Sequence, residues 1–279
     1  MPTPDNHEEE ELTRSGDDCG ERSGSRSLES RRAARLRRTT PDSGPVPGGV
    51  LVIDKPSGMS SMTAVAIVRR KVGLKAGHAG TLDPLATGVL VIGVGRATKS
   101  LDRFMRTPKG YLTEIDLSAF TATDDREGEL ELVDTPDPPS AETISTMLEE
   151  RFTGEFMQVP PDFSAKKVQG RRAYATARKG ESPKLEPRQV TVHEIELEDY
   201  EWPIVKIRIT CEKGFYVRSL ARDLGRNLGT GGHCASIRRI SVGPFTIDQG
   251  VDPDELPDEV PADRIIPLLD ALQMLKENP

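Results

Sequence analysis

At Gly48 the chain changes character, and that break decides how much of it can build a core. Residues 1–47 are rich in Glu, Ser, Arg, Asp, Gly and Pro, and their few apolar residues follow no period. Such a stretch cannot bury enough surface to offset the entropy of ordering it, so a disordered polar extension is expected there. The Arg cluster at 31–38 reads as part of that solvated tail. From Val251 the chain turns acidic and proline-rich. That segment is too short for a further domain, and a short helix around Ile266–Leu275 is expected to close the fold. The folded domain is therefore expected at 48–250, with 251–279 packed on its end.

Within that domain strands and helices mix. GVLVIDKP (49–56) reads as a buried strand stopped by Pro56. Ser60 or Ser61 can cap a helix to about Val72, with Met62, Val65, Ala66 and Val72 on its inner side and Gly73 past its end. VLVIGVG (89–95) is a second strand, followed by a helix with Ala97, Leu101, Phe104 and Met105 inward. Tyr111–Leu117 places Thr113, Ile115 and Leu117 on one strand face, and VKIRITC (205–211) alternates with Val205, Ile207, Ile209 and Cys211 inward. Ser140 caps a helix with an Ile144, Leu148 and Phe152 stripe. A helix with Val217, Leu220, Ala221, Leu224 and Leu228 at helical spacing ends at Gly229. Without a strict βαβ alternation, the pattern predicts an α+β fold.

Several classes fall away on simple grounds. No apolar run approaches the roughly 20 residues of a membrane span. No apolar stretch follows the N-terminal charges as in a secretory signal. The three cysteines, Cys19, Cys211 and Cys234, are too scattered for a disulfide framework or a metal knuckle, and fit a reducing cytoplasm. The four histidines, His7, His78, His193 and His233, show no ligand spacing, so no metal is expected. No GxxxxGK[ST] or GxSxG motif is present. The net charge of −7 looks wrong for a nucleic-acid binder, but its distribution matters more. Segment 69–111 has nine basic and two acidic residues, and segments 166–188 and 206–240 have eight and two each. Segment 114–155 has thirteen acidic and two basic. Basic blocks flanking the candidate site can form a phosphate-binding face.

The segment richest in chemistry is GHAGTLDPLATGVL (77–90). Asp83-Pro84 can be a helix cap followed by its first residue. Alternatively, a glycine-rich loop presents one carboxylate to a closely approaching substrate. An ordinary carboxylate, with pKa about 4, is ionised at neutral pH and can act as a nucleophile. A lone one does not make a retaining glycosidase, which needs a second carboxyl about 5 Å away.

This segment closely resembles the catalytic motif of TruB-family pseudouridine synthases. Four more segments agree in the family's order: GVLVIDKPSGMSS (49–61), KGYLTEIDL (109–117), PPDFSAKKVQGRRAYATARKG (160–180), and KGFYVRSLARDLGRNLG with SIRRISVGPF (213–229 and 236–245). The resemblance covers residues 48–250. It implies the pseudouridine synthase fold, with a central mixed, largely antiparallel sheet flanked by helices. It implies isomerisation of uridine 55 in the T loop of tRNA, by a cytoplasmic monomer that binds the T-arm stem-loop. No cofactor is implied, because the substrate only rearranges. Asp83 is implied as the nucleophile, Tyr111 as the aromatic stacked on the flipped uracil, and Tyr216 as a pocket wall. Arg218 is implied as the partner of Asp83, and Ile237 stands where the family has a Leu near the base. His78 is implied to contact the loop RNA, and Lys55 with Pro56 to support the active-site strand.

The chain departs from the family in places. After Tyr111 the family reads L-G-x-x-T-D-T-x-D, whereas here LSAFTATDD puts Ser118 and Ala122 at the usual Gly and first Asp. That strand end is expected to differ in shape without touching the nucleophile. GGHCA (231–235) is a local variation, and the small PUA-like RNA-binding domain of many members is not expected. Two rivals stand beside this reading. The guide-RNA-dependent class reads HSGTLDP followed by K-V-T-G, where this chain has Leu85-Ala86-Thr87-Gly88. A tRNA-folding chaperone would need no nucleophile at all.

Overall fold

The structure, a computed structural model, describes residues 48–162 and 185–277, together with the backbone of 167–168 and 171–172. The expected extension at 1–47, Cys19 and most of the 160–180 motif lie outside the described residues. The first part of the chain runs β1 (Gly49–Lys55), α1 (Ser61–Val72), β2 (Ala76–His78), β3 (Thr87–Val94), α2 (Leu101–Met105), β4 (Lys109–Asp116), β5 (Ala119–Thr121), β6 (Leu130–Leu132), α3 (Ala141–Phe152) and β7 (Gly154–Gln158). It continues with β8 (Lys167–Val168), β9 (Arg171–Arg172), β10 (Arg188–Glu201), β11 (Ile204–Cys211), α4 (Val217–Leu228), β12 (His233–Val242), β13 (Phe245–Thr246), β14 (Ile266–Pro267) and α5 (Leu268–Glu277).

One sheet follows the order β14-β1-β3-β12-β4-β11-β10-β7, with β2 attached to β3 and β13 to β12. Its pairings are antiparallel except for β12 with β3, which run parallel through Arg238↔Thr87 and Arg239↔Gly88. This is the mixed, largely antiparallel α+β sheet that the pattern and resemblance predict. One consequence positions the site. β1 occupies one edge of β3, so β12 and β2 share the other, β12 at Thr87–Gly88 and β2 at Ile92–Val94. Residues 79–86, between β2 and β3, sit where those two strands part. Gly88 makes the junction possible: its φ is +99°, and a Cβ there would lie 2.2 Å from the Arg239 carbonyl.

Strand alternation gives the sheet two apolar faces. Leu51, Ile53, Leu90, Ile115 and Ile207 pack under α1, α3 and α4, while Val50, Val52, Val89 and Val91 pack against Phe104 of α2 and Ala271 of α5. The stripes of α3 (Ile144, Leu148, Phe152) and α4 (Val217, Leu220, Ala221, Leu224) are buried as the spacing predicts, with Leu228 half-buried. Ser60 caps α1, accepting from the Thr63 amide at 3.0 Å, and Gly73 ends it at φ +70°.

Two details of the inner faces need correction. In α1 the buried side is Ser61, Ala64, Val65, Val68 and Val72, while Met62 is 64% exposed and Ala66 faces solvent. The apolar period allowed either phase of the helix, and the polar contact of Ser61 with Leu82 selects this one. Met105 is exposed as well, because α2 is a little over one turn long and Phe104 takes its inward slot. Cys211 and Cys234 are free and buried, as small apolar residues would be.

Candidate active site

Asp83 sits at the tip of residues 79–86, and no helix follows it; the Ala86 amide closes a turn on the Asp83 carbonyl at 3.1 Å. The turn is pinned on both flanks by buried Leu82 and Leu85. Ser61 Oγ donates to the Leu82 carbonyl and accepts from the Leu82 amide, both at 2.8 Å. Two fully buried cations then hold the loop by its carbonyls. Lys55 Nζ donates to Pro56 O (2.8 Å), Met59 O (2.7 Å) and Pro84 O (3.2 Å). Arg239 donates to Val89 O (2.7 Å), Gly80 O (3.2 Å) and Thr81 O (3.4 Å). Burial pulls the Lys55 ammonium down to about 8, against the attraction of Asp83 and with the repulsion of Arg239.

The Asp83 side chain itself remains 41% exposed, and its Oδ2 meets Arg218 Nη2 at 2.9 Å. Arg218, near the start of α4, is 6% exposed. Its Nη1 donates to Thr123 O at 3.0 Å and to Asp125 Oδ2 at 3.2 Å. A guanidinium fork between two carboxylates fixes the Asp83 carboxylate in direction as well as in place.

The other residues singled out in the sequence gather unevenly around this pair. Tyr111 in β4 is the cross-strand partner of Arg239. Burial raises its phenol, against the pull of the nearby Arg239 charge and with the repulsion of Asp83. Ile237 pairs with Thr113 in register, which puts it on the same sheet face as Tyr111, buried beside the α4 core. Tyr216 caps α4 two residues before Arg218. Its backbone is clamped by buried Gln158, whose amide accepts from Tyr216 N at 2.9 Å and donates to Tyr216 O at 3.1 Å. His78 ends β2 with Nδ1 buried and unpaired, and burial followed by Arg239 lowers its pKa. Among the described residues no group of His, Cys, Asp and Glu is arranged to hold a metal ion.

A buried arginine, one exposed carboxylate and an aromatic beside it, set in a parted sheet, are carried by motifs that the sequence shares with one family. The comparisons agree. The family model described as TruB family pseudouridylate synthase (N terminal domain) matches residues 67–217, and the tRNA pseudouridylate synthase B C-terminal domain matches 218–272. This chain belongs to the TruB family. It is 46% identical over 233 residues to the tRNA pseudouridine synthase B of Thermobifida fusca (strain YX), covering 80% of this chain and 78% of that one. It is 40% identical over 220 residues to the tRNA pseudouridine synthase B of Parabacteroides distasonis, covering 76% and 93%. Among solved structures it resembles a Cbf5-Nop10-Gar1 complex (TM-score 0.63, 27% identity, 85% of this chain and 68% of that one). It also resembles an H/ACA RNP bound to a substrate RNA containing 2′-deoxyuridine (TM-score 0.60, 26% identity, again 85% and 68%). The TruB C-terminal match begins inside α4 and takes in β12, so it spans part of the sheet that carries the site.

For a TruB chain the supporting residues outside the motif's obvious chemistry are the informative ones. Arg239, Ser61, Gln158, Asp124 and Asp125 escaped the sequence reading. Arg239 lies in the R-R pair of SIRRIS, but nothing local says which arginine turns inward. Asp125, at the last Asp of the family pattern in LSAFTATDD, reaches Asp83 through Arg218, while of the two departing positions Ser118 bonds Asp116 and Ala122 faces solvent.

Proposed function

We propose that this TruB-family chain isomerises uridine 55 in the T loop of tRNA to pseudouridine, with Asp83 as the nucleophile on a flipped-out uridine. The observation that carries this reading is the Asp83–Arg218 pair. Oδ2 is tied to a buried guanidinium, while the Asp83 side chain as a whole remains 41% exposed and open to a substrate. Extruding a base costs a few kcal/mol. Stacking it on an aromatic such as Tyr111 returns roughly 1–3 kcal/mol. Atoms balance within the substrate: the N1–C1′ bond breaks, a C5–C1′ bond forms, C5 loses a proton and N1 gains one. Nothing is oxidised or reduced, so the reading needs no metal or cofactor. His78, Tyr216 and Ile237 are proposed as substrate contacts, and Lys55 as support for the loop. The same reading makes the chain a cytoplasmic monomer whose partner is the T-arm stem-loop. Among the described residues no helix is long and apolar enough to cross a membrane.

The Leu85-Ala86-Thr87-Gly88 stretch favours a stand-alone tRNA enzyme over a guide-RNA-dependent one. The test is pseudouridine formation in an unmodified T-arm stem-loop, mapped with carbodiimide, by the protein alone and by Asp83→Asn. Conversion at the T-loop uridine by the unaltered protein only is expected. RNA binding without conversion in either, on the stem-loop and on full-length tRNA, would leave the chaperone reading in its place.

A further inference from the structure

Residues 123–125 grip two arginines at once. Thr123 O and Asp125 Oδ2 take Arg218, while Asp124, between them, sends its carboxylate to Arg222 Nη1 at 2.8 Å. Arg218 and Arg222 stand one turn apart on α4, so each takes one side of the same short segment. The local backbone makes this possible. Asp124 has φ +58°, the one positive φ at a non-glycine position among the described residues. That region is disfavoured for an L-residue, least for Asp and Asn. The cost is met by fixed contacts. The Asp124 carbonyl accepts from Cys234 N at 3.0 Å, and its amide donates to Thr121 O at 3.2 Å. Arg222 is anchored in turn by Val159 O at 2.8 Å and Asp223 Oδ1 at 2.9 Å. The side chains of Arg222 and Asp124 are 10% and 11% exposed. Ala122, where the family has its first Asp, faces solvent and supplies no such contact.

We propose that Asp124 and Arg222 are positioning residues: their ion pair holds residues 123–125 so that Thr123 and Asp125 keep Arg218 aimed at Asp83. This inference rests on the reading of Asp83 as the nucleophile.

The pair also has a titration that separates positioning from mere stability. Burial raises the Asp124 carboxyl to about 6, against the pull of Arg222 and Arg218. The charged and titratable groups facing it are Arg218, Arg222 and Asp223 of α4, Asp125 beside it, and Cys234 of β12, whose thiol burial pushes up. The arginines stay protonated throughout. Below pH 6 Asp124 takes a proton and Arg222 loses this partner, so activity falls. Stability moves the other way. Between the ordinary aspartate value of 3.8 and about 6, the folded chain holds a proton that the unfolded chain lacks, and this group stabilises the fold as pH drops.

The experiment is single-turnover conversion of the T-arm stem-loop between about pH 5 and 8, with RNA affinity and thermal melts. The chains are unaltered protein, Asp124→Asn, Arg222→Gln and the double variant. Asn accepts the same φ, so Asp124→Asn keeps the local backbone. We expect the unaltered rate to fall below about pH 6 without loss of melting temperature. Each single variant is expected to be about tenfold slower at neutral pH with unchanged RNA affinity, the double no slower than either. Asp124→Asn is expected to lose the acid limb. Variants that keep the unaltered rate and pH profile overturn the proposal, as does a rate loss that only follows the unfolded fraction. An unaltered protein that converts no uridine sinks the functional reading and this proposal with it; active unaltered protein with unaffected variants sinks this proposal alone.

Discussion

Two kinds of buried cation support the Asp83 turn, and they do different work. On the β1 and β12 side, Lys55 and Arg239 end on backbone carbonyls. On the α4 side, Arg218 and Arg222 end largely on carboxylates. A carbonyl satisfies a donor without cancelling its charge, which is why burial lowers the Lys55 ammonium so far. The carbonyl side therefore fixes where the backbone runs. The carboxylate side fixes where a charge points. A turn that merely had to be stable would need only the first, and the second is what a reacting carboxylate demands.

The largest effect should come from the carboxylate side. Arg218→Lys keeps the charge but loses the fork that spans Asp83, Thr123 and Asp125. Turnover at saturating RNA is expected to fall about a hundred- to thousandfold with little change in RNA affinity. A drop of less than about threefold would mean that Asp83 needs no aiming, and the contrast between the two sides would dissolve.

The carbonyl side should fail differently. Arg239→Leu leaves the Gly80, Thr81 and Val89 carbonyls without their donor, and each unsatisfied buried group costs about 1–3 kcal/mol. The expected result is a clearly lower melting temperature, with activity recovering toward normal at low temperature where the chain is folded. Undiminished melting combined with a hundredfold activity loss would move Arg239 to the aiming side, through its contact with Tyr111.

How far the sequence showed this division is instructive. Alternation in VKIRITC and the stripe of α3 located strands and helices, because a periodic burial demand leaves a periodic record. Asp83 and Arg218 were legible through the motifs around them. The phase of α1 was not, since Met62 and Ala66 fit the period as well as Ala64 and Val68 do. A serine hydrogen-bonded to Leu82 decided between them. Arg239 and Asp124 were illegible for a deeper reason. Each acts on backbone groups or side chains more than a hundred residues away or on another element, and no local pattern records such a contact. LSAFTATDD reads as a strand end with two departures, and nothing local in it records that its two neighbouring acids pair with different arginines.

The smallest expected effect tests the carbonyl side by pH alone. Lys55 and Lys109 both lie near 8, each lowered chiefly by burial. The ordinary value is 10.5, so between about 8 and 10.5 the unfolded chain holds protons that the folded chain has released. The sign of linkage then makes these two groups favour the fold as pH rises through that window. Melting temperature should therefore hold or rise slightly from their contribution. Activity should not. A neutral amine has two N–H donors for the three carbonyls of Pro56, Met59 and Pro84, and it no longer attracts Asp83. A decline of about two- to fivefold centred near pH 8 is expected in the single-turnover rate. Lys55→Gln should remove that limb. Lys109→Gln should leave it, since Lys109 serves Met105 and Thr107 carbonyls instead. If the limb survives in Lys55→Gln, the lysine is a brace for the backbone and nothing more, and the charge beside Asp83 comes from the arginine alone.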